Sequence, residues 1–356
     1  MGAIPSSETK SFDALLSLTL ATYRATLEDT ISTGTPVFYE IKQSGAWKPE
    51  SSLGERIEVP LMYEMGTADV YAGYDILDTT PMDGITKAFF EWRQMSVPIT
   101  ISRIEERKNS GEHQLISLLK SKVTQAELGI QDLFNKMLLQ GNGPNSATAI
   151  TTAYTSPNNG ASGFDPLPLL VKFDPTSSTS IGNINQNTYS WWANQYVNSS
   201  GSTYAGWLKE LSQLYNKCSK GPGGGPNLFL TDRLVYELYE AAMWAKHQNP
   251  SYQKAGYPFD ALNYKGKPLV WDDMVPDVAN GTISSIPVNT SGTLYMLNTK
   301  YFAVHVDSET NFINTPFVRP ENQDCKTSQI MWYGATSVSN RRKQGVIGSI
   351  TTTLTS

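Results

Sequence analysis

Histidine, cysteine and charge are what this chain of 356 residues has least of: three His, two Cys, and only 17% Asp, Glu, Lys and Arg. Each shortage excludes something. None of His113, His247 and His305 has a second His or Cys at zinc-ligand spacing, so no metal centre is expected. Cys218 and Cys325 stand far apart and read as free thiols of a reducing compartment, with a lone disulfide between them left open. A net charge of −5 and a pI near 5.4 argue against a dedicated nucleic-acid binder, which would carry a basic stripe. The one basic cluster, Arg341-Arg342-Lys343, reads as a solvated face or an inter-subunit ion-pair site. No window approaches the length of apolar run that crosses a bilayer, and the N-terminal MGAIPSSETKS has no apolar signal core. A soluble, intracellular protein with no membrane partner is expected. Gly2 and the sequons at Asn198, Asn280 and Asn289 are what chance supplies in a chain rich in Asn, Ser and Thr.

Catalytic motifs are equally scarce. There is no G-x-S-x-G elbow, no H-E-x-x-H and no G-x-G-x-x-G between a strand and a helix. The glycine-rich stretch GPGGGPNLFLTDRLVYELY, residues 221 to 239, fails as a phosphate cradle. Its glycines precede the apolar run NLFL instead of opening the helix, which starts with Thr231 as N-cap, then Asp232 and Arg233. An acid in that first turn repels an anion where a helix would otherwise hold one. The stretch reads as a flexible turn feeding a buried strand. Asp272, Asp273 and Asp277 lack the glycine and terminal glutamate of a calcium loop and read as turn residues. Glu105-Glu106-Arg107 reads as an ion-paired surface, His113 as a solvated or capping residue, and His305 as a strand residue facing a neighbour. No catalytic residue, cofactor or metal site is expected.

What the chain does have is aromatic residues: 18 Tyr, 12 Phe and 8 Trp. Many aromatics with few charges suit extensive subunit contacts, and suit a carbohydrate-binding face as well. The length exceeds the roughly 250 to 300 residues at which single cores stop growing, so two subdomains, or one with long extensions, are expected.

Residues 11 to 31 carry Phe12, Leu15, Leu16, Leu20, Tyr23, Leu27 and Ile31 at helical spacing, an N-terminal arm ahead of the first strand. IEVPLMY at 57 to 63 alternates, with Pro60 marking an edge or bulge, and VPITISR alternates again through Val97, Ile99 and Ile101. Between them Pro81 and Asp83-Gly84 signal a turn, which suggests an extended hairpin of about forty residues. A hairpin that long is marginal alone. It folds back on its own domain or lies on a neighbouring subunit. Leu115, Leu119, Val123, Ala126, Ile130, Leu133 and Met137 then form one stripe on a helix over 112 to 139, roughly 42 Å long at about 1.5 Å per residue. Asn109 with Glu112 resembles a capping box, and Gly141 is placed as a left-handed stop. Helices are expected over 204 to 219 and 231 to 246, and the rest, after a loop-rich stretch at 142 to 186, is mostly strand.

This ordered series resembles the major capsid protein of tailed bacteriophages with the HK-ninety-seven type of fold. RIEVPLMY is similar to the strand that opens that family's extended loop, with TADVYAGYDILDT and ITKAFFEWRQMSVPITIS as its two sides. SRIEERKNSGEHQLISLLKSKVTQAELGIQDLFNKMLLQGNG is similar to its spine helix. GNINQNTYSWWANQYVN, NLFLTDRLVYELYEA, LNYKGKPLVWDDMVP and GTLYMLNTKYFAVHV resemble the axial domain, and SVSNRRKQGVIGSI the closing strand.

The resemblance implies an α+β capsid fold: an N-terminal arm at 1–50, an extended loop with flanking strands at 51–103, and a peripheral domain with its spine helix at 104–185. An axial domain at 186–330 and a closing strand returning to the peripheral domain at 331–356 complete it. It further implies a structural role without enzymatic activity, copies of this chain joining as hexamers and pentamers in an icosahedral shell around double-stranded DNA. Portal, decoration or scaffolding proteins would be partners, the cargo DNA a non-specific neighbour, and the virion, assembled in the host cytoplasm, the location. Intersubunit contact is expected at Pro81, Met82, Phe89, Phe90 and Trp92 of the loop. One family member cross-links its shell through Lys–Asn bonds; Lys87 and Asn340 supply the residue types, and no motif makes them partners. The alternatives are an encapsulin-like cage, which shares the fold and encloses enzymes, and a β-rich carbohydrate-binding or hydrolytic protein, which would need paired carboxylates in a cleft.

Overall fold

The computed structural model describes residues 36–51, 54–66, 68–77, 80–108, 118–141, 163–176, 180–245, 252–253, 261–279, 282–284 and 291–351. The expected helix at 11–31, the Asn109/Glu112 capping box, His113 and His247 lie outside them.

The described helices are α1 (Pro36–Gln43), α2 (Arg103–Lys108), α3 (Leu118–Gln140), α4 (Leu167–Leu170), α5 (Tyr204–Ser219) and α6 (Arg233–Ala245). The strands begin with β1 (Trp47–Glu50), β2 (Ile57–Met62), β3 (Ile85–Phe90), β4 (Arg93–Ser102), β5 (Ser180–Ile181), β6 (Ile184–Asn185) and β7 (Gln195–Asn198). They continue with β8 (Leu228–Thr231), β9 (Tyr252–Gln253), β10 (Ala261–Tyr264), β11 (Lys267–Trp271), β12 (Asp277–Ala279) and β13 (Thr282–Ser284). The last four are β14 (Ser291–Leu297), β15 (Phe302–Asn314), β16 (Cys325–Val338) and β17 (Gly345–Thr351). Two larger sheets run β1-β15-β16-β4 and β7-β17-β14-β8-β11-β10-β9.

The chain divides into two compact units, and the division falls within β4, α3, β15 and β16. The smaller holds Met95–Asp132 and Phe312–Trp332. In it the alternation of β4 buries Met95, Ile99 and Ile101. Lys326 Nζ lies 2.7 Å from Glu106 Oε1, and Lys122 Nζ 3.5 Å from Glu105 Oε2. The hydrogen bond from Lys326 holds the exposed Glu106 carboxyl below its ordinary range. These acids are the ion-paired surface that the sequence suggests.

The larger unit holds Thr35–Gln94, Leu133–Asn311 and Tyr333–Ser356. Its core forms where two amphipathic helices meet the seven-stranded sheet. Trp207, Leu211, Leu214 and Cys218 recur at helical spacing down α5, and Val235, Leu238, Tyr239 and Ala242 down α6. They pack with Phe229, Leu269, Leu294, Met296 and Ile347 from the central strands. Tyr295 and Val346 alternate with these and are buried too, so β14 and β17 are covered on both faces. Cys218 sits in this core, where burial pushes its thiol up to about 12; both cysteines are free.

Several expectations need correction. VPITISR is not the return side of the hairpin: β2 pairs antiparallel with β3, from Ile57 opposite Phe90 to Met62 opposite Ile85, and the VPITISR run lies in β4 of the four-stranded sheet. The closing segment splits. Cys325–Val338 belongs to the four-stranded sheet, but Gly345–Thr351, apolar and buried on both faces, inserts between β7 and β14 of the seven-stranded one. The N-cap of α6 is Asp232, whose Oδ1 accepts from Val235 N at 3.0 Å; Thr231 ends β8 and donates its hydroxyl to Thr293 O. Gly141 does not adopt a left-handed φ. It is small because a Cβ there would meet Met137 O at 2.2 Å.

The basic cluster is the largest surprise. Arg341 is 1% exposed and Lys343 3%, and only Arg342 faces solvent. Arg341 donates from Nε to Leu170 O, from Nη1 to Gln186 Oε1 and Trp192 O, and from Nη2 to Asn194 Oδ1, all at 2.9 to 3.0 Å. Burial pulls its pKa down to about 9, still charged at neutral pH. Lys343 Nζ donates to Gly221 O and Gly224 O at 3.1 and 3.2 Å. The glycine-rich loop therefore does hold a charge: its carbonyls hold a cation of this same chain.

Candidate intersubunit surface

The β2–β3 hairpin is rooted at its base and bare at its tip. Along its paired strands, Leu61, Ala88 and Phe90 are buried. Phe89 N donates to Gly182 O at 3.1 Å, in the tight β5–β6 turn where Gly182 and Asn183 both have positive φ. A Cβ on Gly182 would stand 2.9 Å from Ala88 Cβ, so glycine lets the two backbones approach. The Tyr63 ring stacks on Trp191 with centroids 5.3 Å apart. Across the pair, Lys87 Nζ meets Glu58 Oε2 at 2.8 Å, one strand to the other. Tyr63 N closes the pair by donating to Gly84 O at 2.9 Å, and the Tyr63 hydroxyl donates to Asp83 O.

Beyond that point the apolar side chains have no cover. Val70, Tyr74 and Ile76 are 101%, 104% and 99% exposed, and Met62, Met65, Tyr71, Leu77, Met82 and Ile85 are exposed as well. Within the tip, Ala72 N donates to Asp75 Oδ2 and Asp75 N to Ala72 O, both at 2.8 Å. A contiguous stretch of large, bare apolar side chains marks a surface that meets a partner.

The five residues read from the sequence fall at different depths. Pro81 and Met82 are exposed near the tip. Phe89 and Trp92 are half-buried, with the Arg56 guanidinium 5.5 Å over the Phe89 ring and Tyr333 stacked on Trp92 at 5.5 Å. Phe90 is 1% exposed, buried within its own chain, and has no surface to offer a neighbour. Residues 62 to 77 were missed because aromatic content pointed to the base, whereas the tip reads as ordinary turn sequence. Among the described residues no group of three His, Cys, Asp or Glu is placed to hold a metal ion, and no helix is long and apolar enough to cross a membrane. Asp272 accepts from Asn135 Nδ2 at 2.9 Å and from Met274 N at 2.8 Å, a turn-stabilising role.

The fold is of the HK-ninety-seven capsid type, a likeness carried by solved structures. No family model and no curated protein matches the sequence. Solved structures do match. A subunit of the cyanophage A-1(L) capsid superposes with a TM-score of 0.64 at 14% identity, over 92% of this chain and 95% of that one. A structure from Gordonia phage Cozz gives 0.55 at 9% identity, over 97% and 98%. An encapsulin complex from Synechococcus elongatus also gives 0.55, at 10% identity, over 96% and 97%.

Proposed function

We propose that this chain is the major capsid protein of a tailed double-stranded-DNA bacteriophage, a structural subunit whose copies close into an icosahedral shell. The bare apolar tip of the β2–β3 arm, on a capsid-type fold, is the observation that carries the reading: it needs a second copy of the chain to cover it. Hexamers and pentamers of the chain build the shell in the host cytoplasm and stay with the virion. Portal and decoration or scaffolding proteins are its further partners. An acidic chain suits a container that must not grip its DNA cargo. The division into arm, extended loop, peripheral domain and axial domain follows the same reading.

Negative-stain microscopy with sedimentation of the purified chain tests this. Closed shells, or pentamers and hexamers, support it; a well-behaved monomer of 39.3 kDa overturns it. Shells that form only around an enzyme encoded beside this chain would assign an encapsulin-like cage instead.

A further inference from the structure

Three neighbouring strands of the four-stranded sheet each contribute one polar side chain to a row. Glu50 on β1 places Oε1 2.9 Å from His305 Nδ1, and Ser337 on β16 places Oγ 2.7 Å from His305 Nε2. The row lines a cavity of about 350 Å³ whose wall includes Lys48, Arg56, Lys300 and Trp92. The imidazole of His305 is largely buried, and that burial lowers its pKa; Lys48 pushes the same way, and Glu50 opposes both. The ring is therefore neutral at neutral pH, and the two contacts fix its tautomer. A carboxylate accepts but does not donate, so Nδ1 carries the hydrogen toward Glu50. Nε2 is then an acceptor, and the Ser337 hydroxyl donates to it. A hydroxyl hydrogen-bonded to an imidazole that is itself oriented by a carboxylate is the arrangement that activates serine as a nucleophile.

We propose that Ser337, His305 and Glu50 form a serine-nucleophile site that hydrolyses small acyl esters admitted to this cavity. Ser337 Oγ bonds to the ester carbonyl carbon while His305 Nε2 takes the hydroxyl proton. The tetrahedral adduct then expels the alcohol, which leaves with that proton. Water adds to the acyl-serine with His305 again as the base, releasing the carboxylic acid and restoring the hydroxyl. Ester and water become acid and alcohol. Ser337 and His305 are the catalytic residues, and Glu50 is a positioning residue acting through His305. Among the acids in the wall, Glu50 is engaged by His305 and Glu58 by Lys87, and Arg56 pairs with Glu55 at 3.2 Å, which leaves Lys48 and Lys300 to favour an acyl chain carrying a carboxylate.

The same row also ties β1 and β16 to β15, so the test must separate reactivity from bracing. The purified full chain is incubated with a fluorophosphonate probe and mapped by peptide mass. The expected result is a single phosphonyl adduct on Ser337, absent in Ser337→Ala and slowed by about 100-fold or more in His305→Asn. Ser339→Ala, altered in the same cavity wall, should label like the parent. In Glu50→Gln the rise of labelling rate with pH should move to lower pH, because the carboxylate that raises the proton affinity of His305 is gone; bracing alone predicts no such move. Hydrolysis of p-nitrophenyl succinate should exceed that of p-nitrophenyl acetate. A parent chain with no adduct on Ser337, or one whose labelling is indifferent to His305→Asn, overturns the proposal, and the parent result needs no variant to fold. None of these readouts depends on shell formation.

Discussion

Replacing Val70, Tyr74 and Ile76 together by serine separates what the arm does for the chain from what it does between chains. In the single chain these side chains are essentially fully exposed, so their loss removes no packing. Surface changes of that kind typically stay within about 0.5 kcal/mol each. Against a neighbour the same three side chains would each contribute about 1.5 to 3 kcal/mol if wholly buried. Burial at an interface is partial and ordering the arm has its own cost, so about 3 kcal/mol per contact for the set is a fair expectation. That corresponds to a factor of roughly 100 in the contact's association constant. Serine is preferred to aspartate because the arm already carries Asp69, Asp75, Asp78 and Asp83, and added charge would confuse lost burial with repulsion. Sedimentation velocity across a concentration series, with negative-stain images of each fraction, measures the concentration at which shells appear. It should rise about 100-fold or more while the melting temperature of the unassembled chain moves by no more than about 2 °C. Shells at the parent's concentration would refute the assignment of the tip as a contact. A large fall in melting temperature would place these residues in the chain's own core.

Other predictions concern the fold that carries the arm. Arg341→Met strips donors from Leu170 O, Gln186 Oε1 and Trp192 O and should cost about 3 to 5 kcal/mol in urea unfolding, whereas Arg342→Met, at an exposed position, should cost under about 0.5. Gly223→Ala should destabilise by about 2 kcal/mol or more, because φ is +99° and the new Cβ would stand 1.8 Å from the Tyr301 hydroxyl; Gly224→Ala, at φ +77° in open space, should cost about 1. Asp232 caps α6 from a buried position, and desolvation, with Asp277 nearby, raises its pKa from 3.8 to about 7. A raised carboxyl pKa means that the folded state holds the proton more tightly than the unfolded one. Its stabilising contribution is therefore full below about pH 4 and fades as pH climbs toward 7, by at most about 4 kcal/mol. Asp232→Asn keeps a capping oxygen and should flatten that slope in chemical unfolding measured from pH 4 to 8; an unchanged slope would assign it to other groups.

The elements that were legible in sequence are those whose period is set by one burial face. Helix α5 matches its expected span because Trp207, Leu211, Leu214 and Cys218 all face one core, and β2 shows its alternation because one side of it is covered. Partnership between strands was not legible. ITKAFF and VPITISR are both plausible returns for IEVPLMY, and only the register, with Gly84 carrying no Cβ against Glu64 O, chooses the first. The basic cluster misled for a related reason. Charge predicts exposure unless acceptors converge, and the acceptors for Arg341 and Lys343 are carbonyls and amides from positions 170 to 224, whose convergence no local pattern announces.

The same logic explains why reactive chemistry escaped the sequence while architecture did not. Glu50, His305 and Ser337 are separated by 255 and 32 positions and meet only because β1 pairs in parallel with β15 while β16 lies on the other side of it. A row built across strands leaves no spacing motif, unlike a helix stripe or a glycine loop. The arm is the opposite case. Its base is specified by contacts within the chain, from the Tyr63–Trp191 stack to the Gly182 turn, and its tip by none that would bury Val70, Tyr74 or Ile76. Folding therefore fixes the direction in which the arm leaves its root but does not hide its apolar surface. Association with another copy is the step that would do so, and the strength of that step can be tuned at the tip without cost to the core.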